Sequence, residues 1–371
     1  MNHNVGDDFV RMGIISLLQS VLGDFHTTVI HKHFPAAVRG RLWQQIDRMT
    51  RGLSNRFDWR ARLSRVVDFL PSNAARDQVL SCDLLVQSGA PMYWKNRWST
   101  CAQTEWFAPL VEKRWRQISL RAPLLNLGAG SCQAWGSDGS EIVSDPDCHS
   151  FIDRFTRWSS LTTVRDKLAH SIVSQCGHDV PLLPCPAIFA PGALNIEGRP
   201  GQYIALNYMP YGGHYDLADR GAEARQKWET VFCKTAHDLA RQHACLLICH
   251  DRTELQLAQR LLPEIPRFHS DDWRDYLHAY SRCSSAVVNR VHGAVVAAVM
   301  GKQVLLTGND TRLLMAAEVP GVTVHPVQEV WDSFDERVAD LLRLPAREQP
   351  AAFLETTRSR YLELLRPILS A

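Results

Sequence analysis

The strongest constraint on the fold is an alternation. Short apolar runs, many rich in β-branched residues, recur along the chain, and amphipathic stretches of helical period separate them. Thr28–His31, Leu84–Val86, Leu124–Leu127, Leu161–Val164, Tyr203–Leu206, Leu246–Cys249, Ala286–Val288 and Val304–Leu306 read as buried strands. Arg165–Gln175, Glu223–His243, Asp271–Ser281 and Val291–Met300 read as helices between them. Strands that alternate with helices in this way build parallel sheets flanked by helices. A chain of 371 residues has room for two such domains. The stretch Pro181–Gly201 is rich in Pro and Gly and reads as the connection between them. We therefore expect an N-terminal α/β domain over residues 1–185 and a C-terminal α/β domain over 200–345. The remainder, 346–371, reads as a final helix at about Gln349–Leu369, long enough to cross back onto the first domain.

Composition narrows the function classes. The net charge of +2 gives no electrostatic reason to expect a nucleic-acid partner. The ten cysteines form no CxxC pair and no zinc spacing, which suits a reduced, cytoplasmic protein without structural metal. The first residues lack a basic flank followed by an apolar core, so no secretory signal is expected. The longest apolar run, around Ala294–Met300, falls far short of the roughly 20 residues that span a membrane.

Glycines follow several of the expected strands: Gly89, Gly128, Gly130, and the pair Gly212 and Gly213. In open parallel sheets ligands gather at the carboxyl ends of strands, where glycine lets backbone N–H groups come close. The alternative for each is an ordinary turn. The most informative segment is Ser284–Arg312, SSAVVNRVHGAVVAAVMGKQVLLTGNDTR. Its first strand runs into Arg290, Val291, His292 and Gly293, at the start of an Ala-rich helix, and Asp310 and Arg312 come just after its second strand. A helix start favours anions through its unpaired N–H groups and dipole. Arginine adds a planar fork that matches carboxylate or phosphate. Solvation or capping is the plainer alternative for either residue taken alone.

The segment resembles the RxHG signature of the polysaccharide pyruvyltransferase family, and other short motifs follow in the family's order. Asn4–Val5–Gly6–Asp7 is similar to its opening NxGD, Leu85–Trp94 to its second glycine loop, and Val164–Arg165–Asp166 to its VRD element. His250–Asp251 resembles its HD pair, and Asp310–Arg312 its D-x-K/R. The resemblance, over about residues 2–325, implies two Rossmann-like domains facing across a cleft, as in GT-B glycosyltransferases. It implies phosphoenolpyruvate as donor substrate, with no other cofactor and no metal. It further implies a sugar or glycan acceptor, lipid- or nucleotide-linked, whose identity it leaves open. Carried over residue by residue, it makes His292 and Arg290 catalytic, and Arg165, Arg290, His292 and Arg312 the donor ligands. Asn4, Asp7, Gly89, Trp94 and His250 fall on the acceptor side or the cleft loops. Two departures stand out: the sequence has almost nothing before NxGD, where the family has a strand, so the start is either truncated or lacks that strand, and Cys185 stands near where an acidic residue is expected.

Three further readings stay open. The arginine-rich stretch Arg39–Arg65 is either a solvated helix or a face resting on the inner, anionic surface of a membrane. Trp94, Trp98 and Trp106 either stack on sugar rings or fill a core. A GT-B glycosyltransferase using a nucleotide sugar is the competing function, and it would need a ribose-binding acid such as Glu254 or Asp271.

Overall fold

The computed structural model describes residues 5–30, 74–96, 99–100, 107–210 and 222–370. The first described element is helix α1, Val5–Leu22. The N-terminal sheet is built on β5 (Leu124–Ser131), all eight residues of which are buried. On one side β5 pairs in parallel with β1 (Leu85–Ser88) and then with β2 (Pro91–Tyr93); on the other it pairs with β6 (Leu161–Val164). A separate antiparallel pair joins β3 (Lys95–Asn96) to β4 (Ser99–Thr100).

The helix Pro146–Trp158 shows how local sequence covers this sheet. Asp145 caps it by accepting from the N–H groups of Asp147 and Cys148, and Pro146 fits the first turn, where no N–H is needed. Cys148, Phe151, Ile152 and Phe155 are buried at the spacing of one helical face. Phe107 packs edge-on against both phenylalanines, at 5.3 and 4.9 Å between ring centroids.

The C-terminal domain holds six parallel strands: β7 (Tyr203–Asn207), β8 (Cys245–Ile248), β9 (Arg267–Phe268), β10 (Cys283–Val288), β11 (Gln303–Gly308) and β12 (Val322–Pro326). Their order across the sheet is β12-β11-β10-β7-β8-β9. The chain winds outward in both directions from the β7–β10 pair, so the crevice of this doubly wound sheet opens at the ends of those two strands. Asn207 and Asn289 sit there. Asn207 Oδ1 accepts from the N–H of Arg290 at 2.9 Å, and Asn289 Nδ2 donates to the carbonyl of Thr307 at 2.9 Å.

The connection between the domains is buried. Leu183, Cys185, Ala187, Ile188, Phe189 and Ala190 are each at most 3% exposed. The turn residues of this stretch make a 3-10 turn, Pro186–Phe189, and a short helix, Ala190–Ala193, while its apolar side chains go inward. Helix α1 lies on it, with Gly13 against the Pro186 carbonyl. The same helix reaches the other domain: Phe9 meets Trp273 edge-on at 6.5 Å. Val5, Phe9, Val10, Ile14, Leu17 and Leu18 therefore belong to one continuous core shared by both domains. Burying each such side chain contributes about 1.5–3 kcal/mol. The last helix, Ala351–Leu369, packs along α1 and is pinned by Tyr361, whose hydroxyl donates to the Pro184 carbonyl at 3.0 Å.

The strand expected at Thr28–His31 is not formed. Thr28, Val29 and Ile30 are irregular, and His31 lies outside the described residues. β-branched residues alone did not make a strand there, because no sheet edge meets them among the described residues. Asn4, Trp98, Trp106, Gly212, Gly213 and the basic stretch Arg39–Arg65 also lie outside the described residues.

Candidate active site

The carboxyl ends of β5 and β6 face those of β10 and β11 across the cleft, and the start of α1 enters between them. Arg165 follows β6 directly and is 3% exposed. Its Nη1 lies 3.5 Å from Nε2 of His292 and 3.7 Å from Sγ of Cys185. Its Nε is buried without a hydrogen-bond partner, and the residue makes no ion pair among the described residues. Buried charges normally have a counter-charge. Arg165 is thus a cation held toward the cleft with capacity to spare.

His292 sits in the first turn of the helix Val291–Val299, against α1. Nδ1 of its ring lies over Gly6, where any Cβ would overlap it. This gives the glycine of the NVGD motif a concrete role, one that the sequence reading did not assign. A guanidinium cannot accept a hydrogen bond, so Nε2 must be the acceptor toward Arg165, which leaves the proton on Nδ1. Burial first, then the charges of Arg165 and Arg312, hold the His292 imidazole well below its ordinary pKa of 6.5. It is neutral at physiological pH.

Arg290 and Arg312 differ from Arg165. Arg290 Nε donates to Glu254 Oε1 at 2.6 Å, and its Nη2 to Asp251 Oδ2 at 2.6 Å. Glu254 is 4% exposed and also accepts from Asn207 Nδ2 and the His250 N–H. Two carboxylates therefore occupy one edge of the Arg290 fork and leave the other for a ligand. Arg312 is gripped by Asp310 in a two-pronged pair, Nε to Oδ1 at 2.8 Å and Nη2 to Oδ2 at 2.7 Å. The negative charge of Asp7, in the first turn of α1, also acts on Arg312.

His250 is 3% exposed, and its Nε2 lies 2.7 Å from the Tyr280 hydroxyl. Burial, followed by the Arg290 charge, lowers its pKa well below 6.5. It is buried beside Tyr280 within the C-terminal domain, and its backbone N–H is held by Glu254, the partner of Arg290. Gly89 is reassigned. Its N–H donates to the Leu127 carbonyl at 2.9 Å, and an added Cβ would lie 2.7 Å from Val10 Cγ1. It is a close-packing glycine between β5 and α1, with no N–H left for an anion. Trp94 is half-buried, one residue beyond Tyr93, which pairs with Ser131. That position is at the cleft end of the N-terminal sheet.

A chain of hydroxyls joins the two walls. Asp166 caps the helix Lys167–Gln175 and accepts from the Ser131 N–H at 2.9 Å and the Ser131 hydroxyl at 2.8 Å. Because the Ser131 hydroxyl donates to Asp166, it accepts from the Thr311 hydroxyl, 3.0 Å away. Thr311 Oγ1 in turn accepts from the Gln133 N–H at 2.9 Å. All four residues are at most 2% exposed. Since Asp166 adjoins Arg165 and Thr311 adjoins Arg312, this chain fixes the span between the two arginines.

No three His, Cys, Asp or Glu side chains among the described residues are grouped to hold a metal ion. No described helix is long and apolar enough to cross a membrane.

The fold is shared with solved structures of low sequence identity. S. aureus MnaA, in a co-structure with UDP, superposes with a TM-score of 0.52 at 12% identity, covering 99% of this chain and 95% of that one. The UDP-GlcNAc 2-epimerase of Methanocaldococcus jannaschii gives 0.54 at 11% identity, over 96% of each chain. A putative UDP-N-acetylglucosamine 2-epimerase from Listeria monocytogenes gives 0.55 at 11%, covering 99% and 94%. At such identities the likeness defines the fold alone: two Rossmann-like α/β domains facing across a cleft, GT-B-like. The sequence supplies the family. The polysaccharide pyruvyl transferase family model matches residues 4–311, and the chain belongs to that family. No curated protein matches it.

Proposed function

We propose that this transferase moves the pyruvyl group of phosphoenolpyruvate onto two hydroxyls of one sugar residue in a surface polysaccharide or its precursor, as a ketal, releasing phosphate. The observation that carries the reading is the pairing of Arg165 with His292: a buried guanidinium without a carboxylate partner among the described residues, set against a neutral imidazole from the facing domain. The donor is a phosphate and a carboxylate on an enol. Arg165 takes one of these anionic groups, and Arg312, backed by Asp310, borders the same space. Arg290 acts mainly by holding the His292 helix start in register with Asp251 and Glu254.

In the reaction the donor methylene gains a proton and becomes a methyl group. One sugar hydroxyl bonds to the adjacent carbon, the bond from that carbon to the phosphate oxygen breaks, and the second hydroxyl closes the ring. The two hydroxyl protons are released, one in effect to the methyl group and one to phosphate. His292 suits the proton transfers. When the donor's negative charge offsets Arg165, the imidazole regains basicity and takes up a proton, which it can then deliver. Charge stabilisation by arginine requires no metal for this chemistry. Trp94 and Asp7 are proposed on the acceptor side.

The two acids named for a nucleotide-sugar donor lend that alternative little support. Glu254 is buried in its bonds to Arg290, Asn207 and His250, and the Asp271 side chain is 87% exposed. A cytoplasmic setting fits an intracellular donor, and the nine described cysteines are all free. The test is to incubate the protein with phosphoenolpyruvate and a glycan panel, and in parallel with nucleotide sugars. Equal amounts of pyruvylated glycan and released phosphate are expected. Glycosyl transfer from a nucleotide sugar, with phosphoenolpyruvate inert, would overturn the reading.

A further inference from the structure

A groove of about 760 Å³ lies at the opposite end of the C-terminal sheet from the cleft, at the beginnings of β7, β10 and β11. It runs between the two places where the chain passes from one domain to the other, residues 197–202 and 341–349. Both passages are tied to the sheet edge. The Arg199 N–H donates to the Ser281 carbonyl at 2.8 Å, and the Gln303 side chain to the Pro345 carbonyl at 3.1 Å.

Three observations in this groove point the same way. Lys302 is 6% exposed, and its ammonium is held at 2.6 Å by the Arg199 carbonyl, with no carboxylate partner among the described residues. An ammonium has three N–H donors, and burial away from any opposite charge is costly. The Ser285 hydroxyl, on the same floor, is buried without a hydrogen-bond partner. Arg199 and Arg347 stand exposed on the rim, and neither makes an ion pair among the described residues.

We propose that this groove is a second anion site, distinct from the cleft, that takes a phosphate group on Lys302 and Ser285 with Arg199 and Arg347 closing over it. Glu197 and Glu348 also line the groove, against the three cations Lys302, Arg199 and Arg347, and phosphate matches the donors that face it: a point cation, a hydroxyl and two planar forks. The occupant touches both interdomain passages and so bears on how the domains are set relative to each other. A free phosphate and the phosphate of a lipid headgroup share this chemistry.

The experiment titrates inorganic phosphate into the full-length protein by calorimetry. Arg165→Ala serves as background, to silence anion binding in the cleft. A site that survives in that background and weakens about tenfold or more with Lys302→Met is expected, the loss of one charge-assisted contact. Arg199→Ala, an exposed change that leaves the core intact, should weaken the same site. Phosphate should also slow hydrogen exchange in peptides covering 197–202 and 341–349. Sedimentation with phosphatidate vesicles separates the sources: Lys302-dependent vesicle binding identifies a headgroup, and binding of free phosphate alone identifies a soluble ligand. If neither binds in the Arg165→Ala background, or binding there is indifferent to Lys302→Met and Arg199→Ala, the proposal fails.

Discussion

Nη1 of Arg165 lies 3.5 Å from Nε2 of His292, so a guanidinium of the N-terminal domain meets an imidazole of the C-terminal domain across the cleft. The contact exists only with both walls in place.

Arg165 and Arg290 should therefore fail in different ways. Arg165→Ala removes a buried cation without a carboxylate partner among the described residues, so stability should hold or rise. The reaction with phosphoenolpyruvate should lose about 2–4 kcal/mol of transition-state stabilisation. Arg290→Ala leaves Glu254 buried without its guanidinium and should cost about 3–5 kcal/mol of folding stability. Urea denaturation together with steady-state kinetics on both variants checks the contrast. Equal loss of stability in the two would contradict it.

His292 should take up a proton when the donor binds. Its low pKa comes from burial and from Arg165 and Arg312, and a bound anion offsets the arginines. Calorimetry of phosphoenolpyruvate binding in buffers of different ionisation enthalpy should show net proton uptake, lost in His292→Gln. The same variant should lose roughly 10²–10⁴ in rate at saturating donor. Unchanged uptake in His292→Gln would move the proton to another group.

Gly6→Ala should impair catalysis more than folding. The added methyl would overlap Nδ1 of His292 and push the ring away. A displacement of about 1 Å near reacting atoms can cost on the order of 10²-fold in rate. Turnover is the readout, with the thermal midpoint as control; wild-type turnover would mean that the ring position is not critical.

Thr311→Val keeps the shape of the side chain but removes its hydroxyl. Ser131 then loses its donor and the Gln133 N–H its acceptor. We expect a cost of about 1–3 kcal/mol in stability and a raised KM for the donor, because the two arginines are no longer held at a fixed span. Thr311→Ser should restore both. An unchanged KM would limit the hydroxyl chain to a structural role.

Stability should fall as pH drops below about 6.5. His250 and His292 both have pKa values well below 6.5 in the folded protein, mainly through burial. Below 6.5 the unfolded chain binds protons that the native state does not, so stability rises with pH in that range. Burial raises Asp166 and Glu254, which act with the opposite sign at lower pH. Comparing urea midpoints across pH for the wild type and His250→Gln isolates the histidine contribution. Identical slopes would remove it.

Much of this was legible in the sequence. Seven of the eight apolar runs read as strands fall on strands, as at Leu161–Val164, because a buried parallel strand needs a continuous apolar run. The place of His292 at a helix start was legible from the pattern, and Arg165 came from the family resemblance; the contact between them was legible from neither. The partners of Arg290 were not. Asp251 and Glu254 lie 39 and 36 residues away, and only the β8–β7–β10 stacking of strands brings them to it. The Ser131–Thr311 contact spans 180 residues and two domains, beyond any local pattern. The close packing of Gly89 against Val10 was not legible, because a glycine after a strand serves close packing as readily as a turn or ligand approach.

Helix α1 begins the described chain yet reaches Trp273 of the C-terminal domain with Phe9, while Ala351–Leu369, at the far end of the chain, packs along it. The two halves are thus interleaved rather than modular. A cut within 181–201 would leave the first half without the surfaces that cover α1, and the second without the helix that backs His292. Neither half is a portable unit, and the two walls of the cleft from different relatives cannot be recombined at that connection unless α1 and the final helix are exchanged with them.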